Sequence, residues 1–91
     1  MPVLVVSENP GGTPEQDKAI LEAANVATDP PSGALMRLAG PTDGGWRVLS
    51  LWESREAFDA FLRDRLTPVL QKAGRPIPKF EFWPIDSVII R

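Results

Sequence analysis

Residues 44–62, GGWRVLSLWESREAFDAFL, change period part-way along. Up to Glu53 the side chains alternate as in a strand; after Ser54 the apolar positions recur at helical spacing. The strand half is apolar on both sides, with Trp46, Val48 and Trp52 on one and Leu49 and Leu51 on the other. One layer of helices covers one face of a sheet, so the second face needs a cover of its own.

The flanking segments supply the other elements. Pro2 to Glu8 is a continuous apolar run rich in β-branched residues, suited to the middle of a sheet. Asn9-Pro-Gly-Gly12 breaks it. Thr13-Pro14-Glu15-Gln16 then has the form of a capping box: the Thr13 hydroxyl accepts from the Gln16 backbone N–H, and the Gln16 side chain reaches back to the Thr13 N–H. Pro14 suits the first helical position. The pattern predicts a helix over 14–25, with Ile20, Ala23 and Ala24 inward. Ala34 to Ala39 reads as a second strand, and the Gly40–Gly45 turn joins it to the strand over 46–53 as a hairpin. Ser54 is an N-cap, and Ala57, Phe58, Phe61, Leu62 and Leu66 make one apolar stripe. Asp59 and Arg63 stand at i, i+4 on the wet side. Pro68 predicts a break near Thr67, and Gly74 a stop. Lys79 to Pro84 reads as the last strand, followed by a tail containing Val88-Ile-Ile90.

A chain of 91 residues makes one domain, 1–91, with a modest core. Its net charge is −2 and its basic residues are mixed with acids, so no basic stripe follows a nucleic-acid backbone. No apolar run approaches a membrane span, MPVLVV is too short for a signal-peptide core, and a cytoplasmic location is expected. There is no Cys, His or Tyr. The usual zinc sites cannot then be built, haem loses its commonest ligands, and no thiol nucleophile exists. Neither metal nor organic cofactor is expected. Acid–base work falls to Asp, Glu, Lys, Arg or the substrate.

The order β-α-β-β-α-β predicts an α+β, ferredoxin-like fold: a four-stranded antiparallel sheet with two helices on one face. We expect the helices to cover the Leu49 and Leu51 side. The Trp46, Val48 and Trp52 side would then be bare in a monomer, and a second copy turned face to face would enclose it. The Val88–Ile90 tail would clasp the partner's sheet.

This combination resembles the dimeric α/β-barrel superfamily, including antibiotic-biosynthesis-type monooxygenases, and more narrowly some of its small actinobacterial members. The residues that carry the likeness are Glu8-Asn-Pro-Gly11, Ala39-Gly-Pro-Thr-Asp43, Gly45-Trp-Arg-Val48 and Trp52-Glu-Ser54, with Phe58 and Phe61 behind them. The resemblance implies a homodimer. Members of the superfamily include cofactor-free oxygenases, polyketide cyclases, isomerases and haem enzymes. In the small proteins it is most similar to, a His commonly stands where this chain has Arg37 and another where it has Asp86. An activity that depended on those His residues would be lost or replaced here.

Six residues are candidates for chemistry. Arg37, between apolar neighbours, would bind a carboxylate or stabilise an enolate if it faced an enclosed space. At a sheet edge it would simply pair with an acid. Glu81, turned inward by Phe80 and Phe82 packing on the helices, would be a base if buried, or an ion-pair partner of Arg37. Trp46, Trp52 and Trp83 would floor a site for an aromatic ligand, with Ser50 supplying a hydrogen bond, or would pack a dimer core. The Asn9–Thr13 loop lacks a Lys and follows Glu8, and reads as a connector.

Three readings follow. The first is a homodimeric barrel with an internal pocket for a small aromatic or polyketide-like molecule, working as a cofactor-independent monooxygenase, cyclase or isomerase. The second is a non-catalytic binder of such a molecule. The third is an interaction module with a packed interior.

Overall fold

The computed structural model describes all 91 residues, Met1–Arg91. The elements are β1 (Val3–Pro10), α1 (Pro14–Ala23), β2 (Ala34–Thr42), β3 (Gly45–Trp52), α2 (Arg55–Phe61), a π turn (Leu62–Leu66), α3 (Thr67–Lys72) and β4 (Phe80–Pro84). The strands form one antiparallel sheet in the order β2-β3-β1-β4. With α2, the π turn and α3 counted as one interrupted helix, this is the ferredoxin-like β-α-β-β-α-β arrangement.

Local chemistry sets the boundaries. Thr13 caps α1 in extended backbone, its Oγ1 accepting from the Gln16 N–H at 3.2 Å. Asn25, at φ 59, turns the chain out of α1 in the left-handed region that Asn tolerates. Ser54 caps α2 in the same way, accepting from the Ala57 N–H at 3.1 Å. The β2–β3 hairpin is tighter than the sequence suggests. It turns on Asp43-Gly44 alone, with Gly44 at φ 79, and Pro41 lies within β2, an edge strand where its missing N–H is tolerated.

The expected break at Thr67 is instead a widened turn. The Thr67 N–H reaches the Leu62 carbonyl, five residues back, and the helix continues through Pro68. In a regular helix the proline ring would meet the carbonyl four residues before it; the wide turn relieves that clash. The surface charges also pair differently from expectation. Asp59 accepts from Arg55 at 3.0 Å and Arg63 bonds Asp64 at 2.8 Å, in place of the expected Asp59–Arg63 pair.

The main correction concerns the faces of the sheet. The helices cover the Trp46, Val48, Ser50 and Trp52 side, not the Leu49 and Leu51 side. The buried cluster is Val3, Val5, Trp52 and Phe58, with Phe61, Phe80 and Phe82 packed against it. Phe58 sits edge-on to Trp52, Phe80 and Phe82, with centroids 5.5, 5.0 and 5.6 Å away. Leu4, Val6, Met36, Leu38, Leu49, Leu51, Glu81 and Trp83 share the other face by register. Val6 and Leu51 are buried there among their neighbours, while Met36, Leu38 and Trp83 are 43%, 54% and 49% exposed. A largely apolar face is therefore bare, but its apolar part is Met36 and aliphatic residues with a single tryptophan, and Glu81 and the Glu8–Arg47 ion pair share it. In α1, Ala24 is buried as expected and Ala23 is exposed. The tail beyond Ile85 forms no strand, and Ile89 and Ile90 stand in the open.

Candidate functional site

A cavity of about 220 Å³ lies between the sheet and the helices. The strand register defines its two ends. Val3 pairs with Trp52 at one end of β1 and β3, where the aromatic cluster closes the space. Asn9 pairs with Trp46 at the other end, where the β1–α1 loop crosses the sheet. Between them, Ile20, Leu21, Val48 and Leu66 supply apolar walls. Mostly apolar walls with a few placed polar groups are what small-molecule sites have in common.

The polar lining comes from β1, β2, β3 and α1. Asn9 donates to the Trp46 carbonyl at 3.1 Å and to Ser7 Oγ at 3.4 Å, which ties the loop to β3. Gly12 packs so closely that a Cβ there would stand 2.9 Å from both the Asn9 carbonyl oxygen and Trp46 Cβ. Ser50 Oγ accepts from the Trp52 indole N–H at 2.9 Å, leaving its own O–H free to donate. Arg37 points to the helix side and grips Asp17 of α1 with both guanidinium nitrogens, one at 3.1 Å and the other closer. Arg75, after α3, also lines the cavity and takes part in no ion pair.

Two buried polar atoms have no partner in the protein: Gln16 Oε1 and Trp46 Nε1. Both residues line this cavity. Buried donors and acceptors are rarely left unpaired, because each costs about 1–3 kcal/mol of desolvation.

The six candidates from the sequence thus divide between two places. Arg37, Trp46, Ser50 and Trp52 line the cavity. Glu81 and Trp83 lie on the opposite face, at the β4 edge, where the Trp83 indole donates to Glu81 Oε2 at 3.3 Å. They share no site with the other four, because the sheet stands between them. Trp52 is a core residue, 3% exposed. Gln16, Asp17, Asn9 and Arg75 escaped the sequence reading. For Gln16 the signal was present but already explained, because a glutamine three residues after a capping threonine reads as a cap.

No group of three or more His, Cys, Asp or Glu side chains is placed to hold a metal ion. No helix is long and apolar enough to cross a membrane. The perturbed titrations lie away from the cavity. A hydrogen bond from Arg63 holds the Asp64 carboxyl below its ordinary range, and that bond raises Arg63 in turn; both are on the outer surface.

No protein-family profile and no curated protein matches the sequence. Solved structures do. SnoaB of Streptomyces nogalater, a cofactor-independent oxygenase, matches over 99% of this chain and 97% of its own, with a TM-score of 0.66 at 10% identity. Rv0793 from Mycobacterium tuberculosis matches over 98% and 100%, with a TM-score of 0.69 at 19% identity. A candidate antibiotic biosynthesis monooxygenase from Caulobacter crescentus matches over 97% and 91%, with a TM-score of 0.66 at 20% identity. The fold is that of antibiotic-biosynthesis-monooxygenase-like proteins. This is the protomer fold that the sequence resemblance implied. At these identities the likeness carries the fold, and the chemistry has to be argued from the cavity.

Proposed function

We propose that this protein binds a small aromatic molecule in the cavity between sheet and helices, and that it oxygenates that molecule without a cofactor. The observation that carries the proposal is the cavity itself: aromatic and aliphatic walls with a few polar side chains among them. A volume of about 220 Å³ falls below the range of drug-sized sites, which favours a ligand of one or two fused rings over a larger polyketide. The structural likeness to SnoaB, itself a cofactor-independent oxygenase, supports the reaction class.

Without a cofactor, the substrate must supply the electrons. A CH₂ flanked by a ring and a carbonyl loses a proton to give an enolate. The enolate carbon bonds to O₂, one oxygen stays as a new C=O, and the other leaves as water with the two hydrogens of the CH₂. In this scheme Arg37 stabilises the developing oxyanion. Its pairing with Asp17 holds the guanidinium at the cavity wall and places a carboxylate beside it.

We further propose that two copies pair through the open face bearing Met36, Leu38 and Trp83, leaving each protomer its own cavity. An exposed apolar surface of this kind is unusual on a soluble monomer.

The test is oxygen uptake with beta-tetralone as the probe, in buffer treated with chelator, followed by mass analysis of the product formed under ¹⁸O₂. Uptake above the protein-free rate, with a single labelled oxygen in the product, supports an oxygenase. Saturable binding without uptake supports the non-catalytic binder instead. Absence of both sinks the proposal.

A further inference from the structure

Five of the seven arginines are held in ion pairs: Arg37, Arg47, Arg55, Arg63 and Arg65. Arg91 ends the exposed tail. Arg75 is different from all of these. It is half-buried and lines the cavity, yet it makes neither an ion pair nor a side-chain hydrogen bond. The charges around the cavity leave it unbalanced. The charged residues of the lining are Glu8, Asp17, Arg37 and Arg75. Asp17 is taken by Arg37, and Glu8 by Arg47. One positive charge remains, beside mostly apolar walls.

The chain holds Arg75 in a defined place. Helix α3 is capped at Ala73, and Gly74 follows at φ 69. The Gly74 N–H donates to the Gln71 carbonyl at 3.1 Å and the Arg75 N–H to the Leu70 carbonyl at 2.9 Å. These are the two bonds of a Schellman motif. The residue after the glycine in that motif is frequently apolar and packs back on the last turn of the helix. Leu70 is buried there, but its counterpart is an arginine. Pro76 comes next, and a residue before proline is restricted to extended backbone. Packing alone would favour an apolar side chain at position 75. The segment then enters β4, at the opposite edge of the sheet from β2 and Arg37.

We infer that Arg75 takes the carboxylate of the bound molecule, so that the cavity selects an aromatic acid over its neutral analogue. A guanidinium is always charged, is more weakly hydrated than an ammonium, and matches a carboxylate with two parallel hydrogen bonds. Arg37 is less suited to that task, because Asp17 already occupies its fork. The inference rests on the proposed small-molecule site and adds to it the group the ligand carries.

The test uses 2-naphthoate and 2-naphthamide as probes, which share a ring system and differ in charge. Binding is followed through the methyl resonances of Ile20 and Leu21 and the side-chain Nε–H resonance of Arg75. Naphthoate is expected to bind at least about tenfold more tightly than the amide, as one charge-assisted contact provides. It should also move the Arg75 resonance, and the preference should shrink with added salt. Arg75→Gln and Arg75→Met should each bring the two affinities toward parity by weakening naphthoate alone, while Arg75→Lys keeps part of the preference. Met retains an unbranched apolar stem, so it carries the test if the glutamine variant does not fold. Equal affinities in the wild type, or a preference that survives removal of the Arg75 charge, overturns the inference while the pocket stands. If neither probe perturbs Ile20 or Leu21, the pocket reading itself fails, and the inference fails with it.

Discussion

Trp52 meets Phe58 edge to face, with ring centroids 5.5 Å apart and planes at 76°. That contact joins the end of β3 to the first turns of α2, across the loop capped by Ser54. It lies on the face of β3 that the helices cover, the face whose residues line the cavity.

Removing the Trp52 ring should therefore damage the fold rather than an assembly. Trp52 also touches Phe61, at 5.3 Å between centroids, and packs on Val3 and Val5. Truncating a buried aromatic typically costs about 3–5 kcal/mol. For a domain this small that is a large share of its stability. Trp52→Ala should lower the denaturant midpoint severely, and Trp52→Leu less so. An unchanged midpoint would contradict the placement of Trp52 in the core.

The open face should behave in the opposite way. Leu38 and Trp83 are about half exposed, so a charge at either position costs the isolated protomer little. If two copies pair through this face, Leu38→Glu and Trp83→Glu should each give a folded monomer by sedimentation at concentrations where the wild type sediments as a dimer. The far-UV circular dichroism should stay native. A dimer that persists in both variants would move the interface off this face.

How much of this was legible in advance depended on whether the information was local. Caps at Thr13 and Ser54, the change of period at Ser54 and the glycine-bearing turns are local, and they fix the element order. The choice of face in β3 is not local. Both of its faces are apolar, so alternation says which residues go together but not which set meets the helices. Phe80 and Phe82 were oriented correctly toward the helices. Val5 pairs with Phe82 on one side and Ser50 on the other, which puts Ser50 and Trp52 on that same face. Only the strand register links the two, and no short stretch of sequence contains it. At Pro68 the sequence announced trouble in the helix, but a widened turn and a break share the same local signal. Gln16 was missed for a different reason: one backbone bond was enough to account for its identity.

Arg65 offers a test of how the helix layer is held together. From the π turn it donates to the Ala24 carbonyl at 3.0 Å and the Asp29 carbonyl at 2.6 Å, and its side chain is 24% exposed. These are carbonyls at and beyond the end of α1, where no helical N–H is available. Arg65→Ala should cost about 1–3 kcal/mol, because it leaves those acceptors without their charged donor. Arg65→Lys should recover only part of the loss, since an ammonium lacks the planar fork that spans two acceptors. A denaturant series on both variants checks the order. Equal stability of the alanine and lysine forms would reduce Arg65 to a surface charge.

The Arg37–Asp17 pair separates structure from chemistry. It joins the β2 edge to α1 beside the cavity, with side chains 31% and 17% exposed, so solvent screens it only in part. Paired two-point contacts of this kind couple by about 1 kcal/mol where water still reaches them. A double-mutant cycle with Arg37→Gln and Asp17→Asn should return a coupling of about that size, falling with added salt. If the pair serves the fold alone, the three variants should bind and turn over a cavity ligand like the wild type once corrected for stability. If Arg37 also stabilises an oxyanion, Arg37→Gln should lower kcat with little change in KM, since that charge forms only on the way to the transition state. Asp17→Asn should then keep more activity than Arg37→Gln, because the guanidinium remains at the cavity wall. The reverse order would give the proton-accepting role to Asp17 and leave Arg37 as its support.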